Sequence, residues 1–143
     1  MSNLAKDVMT ADPRCCSADT PLNEVARLMV ECDCGEIPVV DSAKKLIGVV
    51  TDRDIVCRAV AKDLNTAMAK AEEVMTCPVV SVREECSLED VLATMEEHQI
   101  RRVPVVNADG RICGIISQAD VALEGSESDT AELVKEVSRG SVH

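Results

Sequence analysis

The sequence has no phenylalanine, tyrosine or tryptophan among its 143 residues. Binders of single-stranded nucleic acid stack bases on aromatic platforms, and RNA-recognition sheets display aromatics on their strands. Both classes are excluded, as is an aromatic cage for a methylated amine. Positive charge is also scarce. Fifteen Lys and Arg stand against 26 Asp and Glu, a net charge of −11, so a nucleic acid duplex or an anionic membrane would be repelled. No run approaches the ~20 apolar residues of a membrane span. The first residues, MSNLAKDVMTADPR, lack the apolar core of a signal peptide, so a cytoplasmic protein is expected. Histidine is limited to His98 and His143. There is no Ser-His-Asp, paired-carboxylate or Cys-His constellation, and no glycine-rich phosphate loop. The expectation is a protein that is not an enzyme.

What is present is a globular composition, 46% hydrophobic and 29% charged. A chain of this length buries roughly two-thirds of its unfolded surface. Its core must come from Val, Ile, Leu, Ala, Met and Cys. The chain also repeats itself. Shifted by 66 residues, positions 5–56 fall on 71–122 with 13 of 52 identical. Val8-Met9-Thr10 falls on Val74-Met75-Thr76, and Pro38-Val39-Val40 on Pro104-Val105-Val106. Gly48 falls on Gly114, and Asp54 on Asp120.

Each copy reads as strand, helix, strand, strand, helix, an α/β (α+β) fold of two β-α-β-β-α repeats packed with pseudo-two-fold symmetry. In the first copy Thr20-Pro21 is a helix start, with a hydroxyl cap and proline at the first helical position. Leu22, Val25, Ala26 and Met29 form an apolar stripe at helical spacing. Strands follow at Ile37–Val40 and Leu46–Val50, then a helix from Asp52 to about Lys62. In the second copy Ser87 caps a helix bearing Leu88, Val91, Leu92 and Met95. Strands follow at Val103–Val106 and Arg111–Ile116, and a helix opens near Gln118. Met29 and Met95 are read as core. The domains are 1–66 (repeat 1 with the N-terminal segment), 67–124 (repeat 2), and an acidic tail, 125–143, with a short helix around Leu133, Val134 and Val137. Residues 63–73 link the copies, with Thr66–Glu73 read as a short helix.

The pattern Val-Met-Thr, amphipathic helix, hydrophobic-x-Pro-Val-Val, Gly-hydrophobic-hydrophobic-Thr/Ser-x-x-Asp resembles the cystathionine beta-synthase (CBS) domain. It occurs as Ile37-Pro38-Val39-Val40…Gly48-Val49-Val50-Thr51-Asp52-Arg53-Asp54 and as Val103-Pro104-Val105-Val106…Gly114-Ile115-Ile116-Ser117-Gln118-Ala119-Asp120. A tandem pair is known as a Bateman module. The resemblance covers roughly residues 4–123 and carries no attached enzyme or transporter domain. It implies a regulatory module that binds adenosine-containing ligands, of the AMP, ADP or ATP class, in clefts between the copies. It implies no obligatory cofactor, a flat homodimer, and signalling through altered packing or a protein target. Thr51, Asp54, Ser117 and Asp120 match the family's ribose and phosphate contacts. The segments around Ile37-Pro38 and Val103-Pro104 match those that hold adenine. Arg101 and Arg102 resemble a basic pair that contacts phosphate in some adenylate-sensing relatives. Gly35-Glu36 stands there in the first copy, so the two clefts are not expected to be equivalent.

The residues support this chemistry and leave alternatives open. A carboxylate accepts from both hydroxyls of a ribose. A Thr or Ser at a strand-to-helix junction lies beside free N–H groups. Yet Thr51-x-x-Asp54 and Ser117-x-x-Asp120 also fit a capping box. Arg101-Arg102 also fits a solvated pair at a helix end, and His98 a favourable cation at a helix C-terminus. The eight cysteines are Cys15, Cys16, Cys32, Cys34, Cys57, Cys77, Cys86 and Cys113. They contain no Cys-x-x-Cys, and a disulfide framework does not suit a reducing compartment. Cys34, Cys57 and Cys113 align with Leu or Ile and read as small core residues. A thiol or zinc sensor built from different segments is one alternative function. A ligand-free dimerisation or docking module is the other.

Overall fold

The structure, a computed structural model, describes residues 3–124. It opens with one helical turn, α1 (Ala5–Val8), and a two-residue strand, β1 (Thr10–Ala11). The first repeat follows as β2 (Cys16–Ser17), α2 (Leu22–Cys32), β3 (Glu36–Val40), β4 (Leu46–Thr51) and α3 (Asp52–Arg58). A 3-10 turn at Val60–Lys62 and a second short helix, α4 (Ala71–Val74), come next. The second repeat is β5 (Val82–Arg83), α5 (Leu88–His98), β6 (Arg102–Val106), β7 (Ile112–Ser117) and α6 (Gln118–Glu124). Both repeats thus have the expected order in a mixed α+β fold. The expected helix around Leu133, Val134 and Val137 lies outside the described residues.

The chain forms two compact units. One is Arg14–Val79; among the described residues the other joins 3–13 to 80–124. The sequence domains, 1–66 and 67–124, follow the repeat, whereas the compact units cross it. The N-terminal segment, grouped by sequence with repeat 1, packs in the unit of repeat 2. The α4 segment, which opens repeat 2, packs in the unit of repeat 1. In one unit the sheet order is β1-β7-β6-β5, with Thr10 antiparallel to Ile115. In the other the order is β2-β3-β4, and Thr76 bridges Val49 in the place that Thr10 takes opposite Ile115. Thr76 N–H donates to the Val49 carbonyl at 2.8 Å and accepts from Val49 N–H at 3.1 Å through its own carbonyl.

The cores follow from the stripes. Leu22, Val25 and Met29 of α2 are buried with Ile37, Val39, Val50, Ala71 and Val74. Val91, Leu92 and Met95 of α5 are buried with Ala5, Val103, Val105, Ile116 and Val121. Each exchanged segment reaches its sheet over a glycine. A Cβ at Gly48 would lie 2.9 Å from Met75 Sδ and 3.1 Å from the Thr76 carbonyl oxygen. A Cβ at Gly114 would run into the Met9 side chain.

Two local expectations are corrected. Helix α2 is capped at Pro21, not by the Thr20 hydroxyl. Thr20 Oγ1 instead accepts from Ser17 N–H at 2.9 Å. Proline offers no side-chain acceptor, so the first free N–H groups go to distant carbonyls: Leu22 N–H to Ala69 at 2.9 Å and Asn23 N–H to Thr66 at 3.0 Å. Ser87 caps α5 as expected, its Oγ accepting from Asp90 N–H at 3.2 Å. The linker is helical only over Ala71–Val74, because Asn65 Oδ1 takes Ala67 N–H at 3.0 Å and turns the chain, and Lys70 is extended.

Candidate functional site

Both Thr/Ser-x-x-Asp motifs sit where a strand hands over to a helix, at β4–α3 and β7–α6. Thr51 is extended and caps α3. Its Oγ1 accepts from Asp54 N–H at 3.0 Å, and Asp54 Oδ2 accepts from Thr51 N–H at 3.0 Å. Ser117 Oγ likewise accepts from Asp120 N–H at 3.2 Å, and Asp120 Oδ2 from Ser117 N–H at 2.8 Å. The capping box is therefore formed in both copies.

Beyond the box the copies differ. Asp54 is buried, 8% exposed. The Thr76 hydroxyl donates to it, 3.1 Å from Oδ2 and 3.2 Å from Oδ1. Arg58 Nε stands 3.9 Å from Oδ1. The same guanidinium donates to the carbonyls of Val74 at 3.2 Å and Met75 at 3.3 Å. Asp54 is thus tied to the exchanged segment as well as to its own helix. Asp120 is half-buried, and its carboxylate has no hydroxyl or guanidinium partner among the described residues. Thr10 has the register position of Thr76, and Glu124 falls where the repeat has Arg58.

The register also places the charges. Arg102 stands opposite Ser117 across β6 and β7, and the Arg101 carbonyl accepts from Gln118 N–H at 2.9 Å. Neither guanidinium has an ion-pair partner among the described residues. In the first copy Glu36 stands opposite Thr51, and the Gly35 carbonyl accepts from Asp52 N–H at 2.9 Å. A Cβ on Gly35 would lie 2.8 Å from Asp52 Oδ2, so a carboxylate covers the position that Arg101 holds in the second copy. Ile37 and Val103 are 1% and 0% exposed. Their side chains are in the two cores, and Pro38 and Pro104 are buried next to them on β3 and β6 without belonging to either core cluster. Thr76 and Arg58 were missed as partners of Asp54. The signal available was the sign change from Arg58 to Glu124 in the repeat.

His98 is in the last turn of α5, 4.0 Å from Glu97. Of the cysteines read as core, Cys34 and Cys113 pack against the two clusters. Cys57 is exposed, a correction: the inward residues on that stretch are Ile55 and Ala59, and Cys57 lies off their face. All eight cysteines are free thiols. Burial pushes the Cys16 thiol from its ordinary 9.0 up to about 12, helped by Cys15 beside it. Burial also raises Cys15, Cys86 and Cys113.

The unfolded chain loses these thiol protons near pH 9 while the folded chain keeps them. Above that pH the unfolded state binds fewer protons, so stability is whole below it and falls as pH rises towards the folded value. The urea midpoint should hold to about pH 8 and drop by about pH 10.5, and Cys16→Val should flatten the drop. An equal drop in the variant would remove Cys16 as the cause.

Among the described residues no three His, Cys, Asp or Glu side chains are grouped to hold a metal ion. The thiol or zinc alternative finds no donor set there. A groove of about 320 Å³ lies along α2, lined by Arg14, Cys15, Glu24, Arg27 and Glu31 among others. Arg14 and Glu31 already pair across it at 3.4 Å, and it contains neither Thr/Ser-x-x-Asp motif. No helix among the described residues is long and apolar enough to cross a membrane.

Comparison with known proteins adds the following. A family model described as the CBS domain matches residues 5–60 and 71–127. Hypoxic response protein 1 of Mycobacterium tuberculosis is 35% identical over 133 residues, 93% of this chain and 92% of that protein. A crystal structure of hypoxic response protein I with two coordinated zinc ions aligns at TM-score 0.80 and 35% identity, over 87% of this chain and 100% of its own. A crystal structure of CBSX2, a CBS-pair protein from Arabidopsis thaliana, in complex with AMP aligns at TM-score 0.74 and 27% identity, over 84% of this chain and 93% of its own. The CBS domain pair of protein MJ0100, in complex with 5-methylthioadenosine and S-adenosyl-L-methionine, aligns at 0.75 and 28%, over 86% and 95%.

Proposed function

Because the chain belongs to the CBS domain family, with one copy matched at 5–60 and another at 71–127, we propose that it is a non-catalytic regulatory module for an adenosine-containing small molecule. The ligand is of the AMP, ADP or ATP class. The observation that carries the reading is one juxtaposition in the second repeat. Arg102 stands opposite Ser117, and Asp120 follows within the first turn of α6. Among the described residues one Asp120 oxygen is open, which suits a ribose diol. Arg102 has no ion-pair partner among them, which suits a phosphate. The AMP complex of CBSX2 and the methylthioadenosine complex of MJ0100 support the ligand class.

The ligand regulates by differential affinity: it shifts the module towards whichever arrangement binds it better. Its readout is the packing of the chain against a second copy or a protein target. Val30 and Met68 are 81% and 74% exposed, and Val56 and Val60 are exposed with them. These side chains are available to a partner, and we assign that partner to a second copy of the chain. Eight free thiols suit the cytoplasm.

The experiment is to purify the chain, denature it, and identify what is released. Lacking aromatics, the protein is nearly dark at 280 nm, so a 260 nm band that leaves with a small molecule is expected. Sedimentation should give a dimer. No band, together with no thermal shift from AMP, ADP or ATP, would favour the ligand-free dimerisation module.

A further inference from the structure

Resting on the adenosine reading above, we propose that the chain holds one anionic adenosine ligand, at Arg101, Arg102, Ser117 and Asp120, and that the matching position in the first repeat is closed by the protein's own side chains. The two Asp carboxylates share a motif but not their remaining hydrogen-bonding capacity. Asp54 Oδ2 takes the Thr51 N–H, and the Thr76 hydroxyl lies within 3.2 Å of both oxygens. Arg58 faces Oδ1 at 3.9 Å, and the residue is 8% exposed. A ribose diol could reach this carboxylate only by displacing Thr76, which would pull on the strand bridge between Thr76 and Val49. Asp120 uses Oδ2 for the Ser117 N–H, and its Oδ1 has no partner among the described residues.

Charge separates the copies in the same direction. Beside Ser117 the chain places Arg101 and Arg102; beside Thr51 it places Gly35 and Glu36, with the Asp52 carboxylate against Gly35. An anion entering the first position meets Asp52 and Glu36, in a chain of net charge −11. An anion entering the second meets Arg101 and Arg102, which have no ion-pair partner among the described residues, and a guanidinium can hold a phosphate bidentately. The Thr76–Asp54–Arg58 cluster is therefore a strut holding α3 to the α4 segment, and the arginine pair selects a phosphorylated ligand over the bare nucleoside.

Calorimetric titration of the full chain with AMP and with adenosine tests this. One AMP per chain is expected, bound at least tenfold tighter than adenosine, with the gap narrowing as salt rises. Asp120→Ala and Arg102→Glu should each weaken AMP at least tenfold. Thr76→Val, which frees Asp54 without removing it, should leave AMP affinity within twofold. Two equivalent AMP sites, equal affinity for AMP and adenosine, or binding lost in Thr76→Val but kept in Asp120→Ala would overturn the inference while leaving the adenosine reading intact. Failure of both probes to bind the wild-type chain would overturn both.

Discussion

Gly48→Val is expected to destabilise the protein by about 3 kcal/mol, at the upper end of overpacking costs. Even a Cβ at this position lies 2.9 Å from Met75 Sδ and 3.1 Å from the Thr76 carbonyl oxygen. Methionine has the freedom to swing away; the backbone carbonyl does not, because it accepts from Val49 N–H in the strand bridge. The two γ-methyl groups must therefore either push the 75–76 backbone off β4 or adopt a poor rotamer. The stronger test is a double-mutant cycle under urea. Met75→Ala should recover part of the cost of Gly48→Val, a coupling of about 1 kcal/mol, whereas Met9→Ala should add to it within about 0.5 kcal/mol. Gly114→Val should show the reverse preference, coupling to Met9. Coupling of Gly48 to Met9 instead would mean that each leading segment packs on its own repeat.

That exchange shows where sequence reasoning stops. The stripes of α2 and α5 were legible because burial on one helix face writes apolar residues at a helical spacing, as at Leu22, Val25 and Met29. The strands at Ile37–Val40 and Val103–Val106 were legible as short apolar runs between turns. The partner of the Val-Met-Thr segment was not. Val8-Met9-Thr10 and Val74-Met75-Thr76 are the same residues in both copies, so no side chain distinguishes packing on one's own repeat from packing on the other. The cap of α2 was misplaced by one residue for a different reason. Thr20-Pro21 satisfies a local rule, yet Ser87 aligns with Pro21, and the carbonyls that serve the first turn of α2 come from Thr66 and Ala69. The candidate site divides in the same way. Thr51–Asp54 and Ser117–Asp120 are contacts three residues apart, which spacing reveals. Thr76, 22 residues from Asp54, is a tertiary partner that spacing does not reveal.

The two aspartates should accordingly differ in what they contribute to stability. Asp54→Ala is expected to cost about 3 kcal/mol: about 1 from the lost cap and about 2 from the hydrogen bond between the Thr76 hydroxyl and an ionised group. It leaves the Thr51 N–H and the Arg58 guanidinium without their carboxylate. Asp120→Ala removes a cap alone and should cost about 1 kcal/mol. Asp54→Asn keeps an acceptor oxygen for Thr51 or Thr76 but not the charge, so it should recover about half of the loss. Thr76→Val should cost about 2 kcal/mol, the same hydrogen bond lost from the other side, and in the Asp54→Ala background nearly nothing, since its partner is already gone. Urea midpoints for these four proteins and the double variant decide the matter. Equal losses at Asp54 and Asp120 would mean that the Thr76 and Arg58 contacts add nothing, and that a ribose could reach the Asp54 carboxylate as readily as that of Asp120.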